Sequence, residues 1–330
     1  MKEILVFSEL TPNFNIAKVV FELGTKAKEL SQKLDNAKVS AVIVNKHADY
    51  SEIVNSLSKY GFNKVYLVKD DRYERYSSEL YTNAVCNIVN EIQPEIMLFP
   101  ATRLGRDLAP KVAARLNSGL TADCTEFDIN EKGQLASTRP TFGGSLMATI
   151  LSKSQTQMAT ARANVFKAIE VAEPANIEIE ERFYLTNDIA DLVEIIDFKP
   201  FEANDGQNIV DAEIVVAGGM GMKNKEGFEL LKKFADILGG QVGASRKAVE
   251  AGLADVSVQI GQTGKTVTPK LYIACGIAGA IQHLVGMNMS DKIIAINSDP
   301  NAPIFKNADY GIVGDVFEVL PKFIDRFKSV

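Results

Sequence analysis

Four short segments in the C-terminal third of the chain combine glycines with residues that bind anions or tune charge. Gly218-Gly219-Met220-Gly221 follows an apolar run, but no third glycine completes a GxGxxG fingerprint, and a tight turn before a helix explains it as well. Val242-Gly243-Ala244-Ser245-Arg246 sets a hydroxyl and a fixed positive charge beside residues small enough for a ligand to reach the backbone. The plainer reading is a helix N-cap serine next to a surface arginine. Ile260-Gly261-Gln262-Thr263-Gly264-Lys265-Thr266 ends like a phosphate loop. Gln259, however, stands where a Walker loop needs glycine, and Pro269 interrupts any helix that follows. Gly276-Ile277-Ala278-Gly279-Ala280-Ile281-Gln282-His283 places small residues between a strand pattern and a helix pattern, the arrangement that presents backbone N–H groups to a pyrophosphate. His283 falls about one turn into that helix. A lone histidine is more often structural, but this one adjoins an anion candidate.

Such chemistry needs strands that end together, because ligands of open α/β sheets lie at the carboxyl ends of strands. The second half of the chain supplies the pattern. Glu213–Ala217, Leu271–Ala274, Lys292–Ile296 and Tyr310–Val313 read as strands. Lys225–Leu238, Ala278–Val285 and Val316–Phe327 read as helices, the first stopped by Gly239-Gly240. The N-terminal part alternates likewise. Strand-like runs at Ile4–Phe7, Val39–Val44, Val65–Val68 and Ile96–Pro100 are separated by helical patterns over Asn15–Leu34 and Leu80–Ile92. In the middle, Leu135–Arg139, Ala148–Leu151, Gln157–Arg162, Ile177–Ile179 and Leu192–Ile196 are short and strand-like, as if extending the first sheet. Pro, Asn, Asp and Gly gather in Phe198–Gly206, the best linker. The expectation is an α/β protein of two Rossmann-like parallel-sheet domains, 1–199 and 200–330, the second binding the ligand.

Composition removes several other classes. A length of 330 residues with 46% hydrophobic side chains supports two ordinary cores. A net charge of −6 gives no basic footprint for nucleic acid. No apolar run approaches the ~20 residues that cross a bilayer, and the N-terminus lacks the long apolar core of a signal peptide. Three scattered cysteines, Cys86, Cys124 and Cys275, suit a reducing compartment and contain no iron–sulfur spacing. With only His47 and His283 there is no Cys-rich zinc site, although carboxylates remain open to a hard cation. The expected location is the cytoplasm. No Ser-His-Asp or Cys-His arrangement supports hydrolysis, whereas nucleotide binding is well supported. A free-standing NAD-dependent dehydrogenase would want the missing GxGxxG turn. An adenine-nucleotide-binding regulatory module is the other alternative.

Taken together, these segments closely resemble the alpha subunit of electron-transferring flavoproteins. The likeness covers Val242–Arg246, Gly261–Lys265, Leu271–His283, Ala295–Phe305 and Ala308–Asp315, in matching order and spacing. It is looser in the first domain, best at Gly105–Pro110 and Arg139–Gly144. The resemblance implies one FAD in this chain and a heterodimer with a beta subunit that holds a second FAD or AMP. It implies that Ser245 and Ala278, Gly279, Ala280 and Ile281 hold the pyrophosphate, and that Asn297, Asp315 and Val316 line the adenosine end. Ile260, Gly261, Gln262 and Thr263 would face the flavin ring, with Gln282 beside them. His283 would donate toward the C2 carbonyl and Arg246 would lie against the ring. Electron uptake puts negative charge on that ring edge. A cation at ~4 Å and an effective dielectric of ~20 is worth up to about 4 kcal/mol, on the order of 170 mV for one electron. Met220 departs from the family, which usually has arginine there.

The resemblance also implies a carrier whose oxidoreductase activity appears only in complex, exchanging electrons with an acyl-CoA dehydrogenase-type flavoenzyme. Gly119–Thr125 and Arg139–Gly144 look like bacterial, anaerobe-type members. Some of these bifurcate electrons from NADH, with ferredoxin or flavodoxin as low-potential acceptor. In that case Arg139 would reach the second flavin. No catalytic side chain beyond the tuning residues Arg246, His283 and Thr263 is expected, and no resident metal.

Overall fold

The computed structural model describes residues 2–46, 49–141, 146–174, 176–184, 196–197 and 209–328. The chain divides into two compact units, one of Met1–Thr141 with Leu146–Pro200, the other running from Phe201 to Val330. The linker expected at Phe198–Gly206 lies outside the described residues, as do His47, Phe142–Gly144 and the part of the fifth middle strand pattern at 192–195.

The first unit begins β1 (Glu3–Phe7), α1 (Lys18–Lys33), β2 (Lys38–Val44), α2 (Ser51–Ser58), β3 (Lys64–Val68), α3 (Ser78–Ile92), β4 (Ile96–Pro100) and α4 (Arg103–Arg115). It continues with β5 (Leu120–Cys124), β6 (Glu126–Ile129), β7 (Leu135–Thr141), β8 (Leu146–Leu151), β9 (Gln157–Ala161) and β10 (Glu178–Arg182). Ile4, Leu5, Val6 and Ile96 through Phe99 are apolar without alternation because both faces of these strands are covered. Side chains of α1 and α2 pack on Ile4 and Val6, and those of α3 and α4 on Leu5 and Phe7. Among the described residues the sheet is parallel, in the order β10-β3-β2-β1-β4-β9-β5. Gly105 lets α4 start hard against β4, since a Cβ there would meet the Pro100 carbonyl oxygen at 1.8 Å. The Thr102 hydroxyl caps the same turn, accepting from the Gly105 N–H at 3.0 Å.

The middle strands do not all extend that sheet, as the sequence suggests. β9 enters between β4 and β5, and β10 joins the opposite edge. β6, β7 and β8 form a separate antiparallel sheet. The reason is local: consecutive strands joined by a short turn can pair only antiparallel. The β6–β7 turn is closed by the Asn130 carboxamide oxygen, which accepts from the Lys132 and Gln134 N–H groups at 3.0 and 2.9 Å, and by Gly133 at φ +74. β8 lies at the sheet edge with Leu146, Met147, Ile150 and Leu151 all at least 40% exposed. Among the described residues no strand pairs with its outer side.

The second unit runs β11 (Ile214–Gly218), α5 (Lys225–Ile237), β12 (Gln241–Ser245), α6 (Arg246–Glu250), β13 (Gln259–Ile260), β14 (Leu271–Cys275), α7 (Ile281–Leu284), β15 (Ile293–Asn297), β16 (Tyr310–Val313) and α8 (Val316–Lys328). All described pairings are parallel, in the order β13-β12-β11-β14-β15-β16. The strand period of two sorts the core. Val216, Ile273 and Ile296 face Leu231, Phe234 and Leu320 of α5 and α8. Val215, Tyr272 and Ala295 face the other side, with Ile260, Met287 and Ile304. Full burial of each such side chain contributes about 1.5–3 kcal/mol. The helix expected over Ala278–Val285 shrinks to α7, because Gly276 at φ +61 and Gly279 at φ +89 keep the preceding residues out of helical geometry. Among the described residues no helix is long and apolar enough to cross a membrane.

Candidate functional site

Parallel pairing brings Gly218, Ser245, Ile260, Cys275, Asn297 and Val313 to one end of the second sheet. From β11 the chain moves to β12 on one side, and β14 returns to the other side of β11. That reversal opens a crevice between β11 and β14, the position where such sheets bind ligands. The four segments singled out in the sequence are the loops around it. The glycine turn after β11 has a definite task there. A Cβ on Gly219 would meet the Gly276 carbonyl oxygen at 2.2 Å, and one on Gly221 the Gly276 Cα at 2.6 Å. Bare backbones thus touch across the crevice floor, joined by Gly219 N–H to Cys275 O at 2.9 Å and Gly221 N–H to Gly276 O at 3.0 Å.

The loop from Gly276 to α7 is shaped to offer backbone donors. Gly279 backs onto Ile304, whose amide nitrogen a Cβ would meet at 2.3 Å. The Asn297 carboxamide donates to the Ile277 carbonyl at 2.9 Å and accepts from the Asp299 N–H at 2.9 Å, so this side chain braces the loop from β15. Ala278, Ala280, Ile281 and Gln282 are exposed. The N–H groups of Ala278, Gly279, Ala280 and Ile281 have no protein acceptor among the described residues. A run of free donors beside a glycine cradle fits a pyrophosphate.

Around this loop the remaining candidates divide. The Ser245 hydroxyl accepts from the Ala248 N–H at 3.4 Å, as an N-cap does, and Arg246 is exposed with its Nε 2.7 Å from Glu250. The plainer reading of that pair is therefore what the protein alone displays, although the other guanidinium nitrogens keep their donors. Gln262 and Thr263 are exposed at the tip of the turn after β13, the Thr263 hydroxyl accepting from the Gln259 carboxamide at 3.1 Å. Ile260 is 1% exposed, its side chain in the core. Gly261 stands at φ +141, and its Cβ would meet the Gln282 carbonyl oxygen at 2.7 Å. Val316 is a core residue, leaving only its backbone at the rim. The Asp315 carboxylate accepts from the Phe317 N–H at 2.9 Å and pairs with Lys223 at 3.0 Å. Both partners hold its carboxyl below the usual range, the backbone donor foremost. Met220 is exposed, and the cation on its turn is Lys223.

His283 is the most buried of the polar candidates, 7% exposed. Its Nδ1 lies 3.2 Å from the Ile260 carbonyl oxygen and its Nε2 2.9 Å from the Tyr272 hydroxyl. Burial pushes its pKa down to about 4, only partly opposed by the Ile260 carbonyl. The ring is therefore neutral at ordinary pH, and both nitrogens are committed inside the protein. The ring donor expected for a ligand is not free in this structure.

In the first unit, Arg139 lies on β7 with a buried Nε that has no hydrogen-bond partner. It belongs to a cluster about Asp123, a residue forced to φ +63 at a bulge in β5. Arg162 grips Asp123 with Nε at 3.1 Å and a terminal nitrogen at 2.6 Å, and Arg106 adds a contact at 3.3 Å. Burial would raise the Asp123 pKa, but the Arg162 hydrogen bonds and charge outweigh it.

Sequence reasoning missed Tyr272 and the Asp123–Arg162 pair. Tyr272 offered one signal, a hydroxyl inside the apolar run Leu271–Cys275, where a buried polar atom needs a partner. The arginines offered none, because they converge only through the sheet.

Comparison with known proteins agrees with this geometry. Residues 4–182 match the family model of the electron transfer flavoprotein domain, and residues 208–288 that of the electron transfer flavoprotein FAD-binding domain. The chain is similar to the electron transfer flavoprotein subunit alpha of Thermoanaerobacterium thermosaccharolyticum, 43% identical over 100% of this chain and 98% of the relative. It is 45% identical to protein FixB of Clostridium saccharobutylicum over 100% of this chain and 97% of the relative. With subunit alpha from Bacillus subtilis the identity is 38%, over 100% and 98%. With the strand-end crevice in the unit that matches the FAD-binding model and likeness along its whole length, this chain belongs to the alpha-subunit family of electron transfer flavoproteins.

Proposed function

We propose that this chain holds one FAD across the carboxyl ends of β11 to β15 and relays electrons as the alpha half of a heterodimer. The observation that carries the reading is the crevice between β11 and β14, rimmed by the unengaged N–H groups of Ala278 to Ile281. These donors and Ser245 would hold the pyrophosphate, and Asn297, Asp315 and the Val316 backbone the adenosine end. Gln262 and Thr263 would meet the ring with Arg246 as the nearby cation. His283 contributes by holding the Ile260–Thr263 backbone. When bound, FAD supplies the one- and two-electron chemistry, and the protein sets its potential and access.

The exchange partner in this reading is an acyl-CoA dehydrogenase-type flavoenzyme. In its sharper form the beta subunit carries a second FAD reduced by NADH, with ferredoxin or flavodoxin as the other acceptor and Arg139 reaching toward that second flavin. The unpartnered Nε of Arg139 supports a polar neighbour there. A cytoplasmic location is part of the same reading, supported by three cysteines that are free and buried. Co-expression with the beta subunit tests it. Two FAD per heterodimer and reduction by NADH are expected of the bifurcating form, one FAD with AMP of the simple carrier. A colourless heterodimer after reconstitution with FAD overturns both.

A further inference from the structure

Tyr272 is fully buried on β14, and its hydroxyl has one partner, the Nε2 of His283. The other ring nitrogen faces a backbone carbonyl, and the chemistry of that pair decides where the protons are. A carbonyl oxygen only accepts, so Nδ1 must carry the hydrogen. In the neutral ring Nε2 is then an acceptor, and the Tyr272 hydroxyl is the donor. The reverse arrangement would leave a phenolic O–H and a carbonyl without partners in a dry interior, which is the costly outcome for buried polar groups.

The consequence reaches the turn after β13. His283 is tied through Nδ1 to Ile260, the residue before that turn, and Gln262 N–H donates to the Gln282 carbonyl at 2.7 Å. These two bonds attach the turn to α7. The first needs the ring rotamer that Tyr272 braces from the other nitrogen. Thr263 and Gln262 sit on the turn so fixed, while Tyr272 itself is fully buried three residues before the end of β14.

We propose that Tyr272 is a positioning residue, whose hydroxyl donates to Nε2 of His283, braces the ring in the rotamer that reaches the Ile260 carbonyl, and thereby holds the Gln262–Thr263 turn where it meets FAD. The functional half of this inference rests on the FAD reading above, and the structural half stands without it. Tyr272→Phe removes the hydroxyl and keeps the packed ring.

The test uses the full-length chain, labelled with nitrogen-15 at histidine and assembled with unlabelled beta subunit. The chain has only two histidines, so His47→Gln assigns the signals. The wild-type assembly is expected to show His283 protonated at Nδ1 and bare at Nε2. Tyr272→Phe is expected to keep that tautomer, which the Ile260 carbonyl sets, to move the Nε2 signal as its hydrogen bond is lost, and to weaken FAD binding about fivefold, the factor expected for loss of one ordinary hydrogen bond. In a His283→Asn background the same change should alter FAD affinity less than twofold, because Tyr272 acts through the ring. A wild-type Nε2–H tautomer overturns the inference. So does FAD affinity within twofold of wild type in Tyr272→Phe, or an undiminished effect in the His283→Asn background. A wild-type assembly that takes up no FAD overturns the proposed function instead, and whether the Nε2 signal moves on Tyr272→Phe still decides the Tyr272–His283 link.

Discussion

Glu22 gives a prediction whose size follows from the structure. This α1 carboxylate is 2% exposed, accepts from the Asn164 N–H at 3.2 Å through one oxygen, and leaves the other buried without a partner. Burial raises its pKa from 4.5 to about 7, against the pull of the Asn164 N–H and the Lys18 charge. A raised folded pKa means that the native state holds a proton the unfolded chain has lost. Stability from this group is full below pH 4.5, declines at about 1.4 kcal/mol per pH unit, and is gone once pH passes about 7. The whole shift corresponds to about 3 kcal/mol. Glu22→Gln removes the ionisation and keeps the shape. Denaturant unfolding of both proteins at pH 4.5 and pH 8 reads it out, because the variant shares every other titrating group. The gap between variant and wild type should widen toward the variant by about 3 kcal/mol from the lower to the higher pH. A gap that stays constant with pH, or closes, would show that Glu22 ionises normally, and the reasoning about its burial would fail.

Other outcomes are expected at the site and beside it. Arg246→Ala should reduce formation of one-electron-reduced FAD in a redox titration. The shift should be on the order of tens of millivolts, since the side chain is 62% exposed and solvent screens it. An unchanged yield counts against its tuning role. Gly279→Ala puts a methyl 2.3 Å from the Ile304 nitrogen at φ +89, so it should destabilise the second unit by at least ~2 kcal/mol and abolish FAD retention on gel filtration. Retained FAD would show that the loop has room to move. Asp123→Asn leaves Arg162 buried without its counter-charge and should cost about 2–4 kcal/mol in a thermal melt of the first unit, while FAD affinity stays unchanged.

Much of this architecture was legible in the sequence for physical reasons. Runs such as Ile4–Phe7 and Leu271–Cys275 are apolar without alternation because both faces are covered, the first by helices on each side and the second by α5 and α8 on one side and connecting segments on the other, and that pattern belongs to parallel sheets. The helix Lys225–Ile237 announced itself by period and by the glycines that end it. What the sequence hid was long-range. Nothing local distinguishes β9, which enters the first sheet, from β8, which stays out of it, because the difference lies in which edge is available. α7 was overdrawn because helical spacing outvoted two glycines whose positive φ serves the crevice. At the site, residue types at strand ends were readable, and so was Ser245 as a cap, whose partner lies three residues on. Asn297 as a brace and His283 as a tie were not, because their partners lie 20 and 23 residues away.

The exposed strand β8 has a practical consequence. Among the described residues it offers an unpaired backbone edge and the side chains Leu146, Met147, Ile150 and Leu151, with no lysine, proline or bulge along its length to discourage strangers. Overproduced by itself, the protein should therefore be prone to cross-strand aggregation, and stocks of the lone polypeptide should cloud as they are concentrated. A polar change such as Ile150→Thr on that strand is the simplest route to a soluble preparation for crystallisation or spectroscopy.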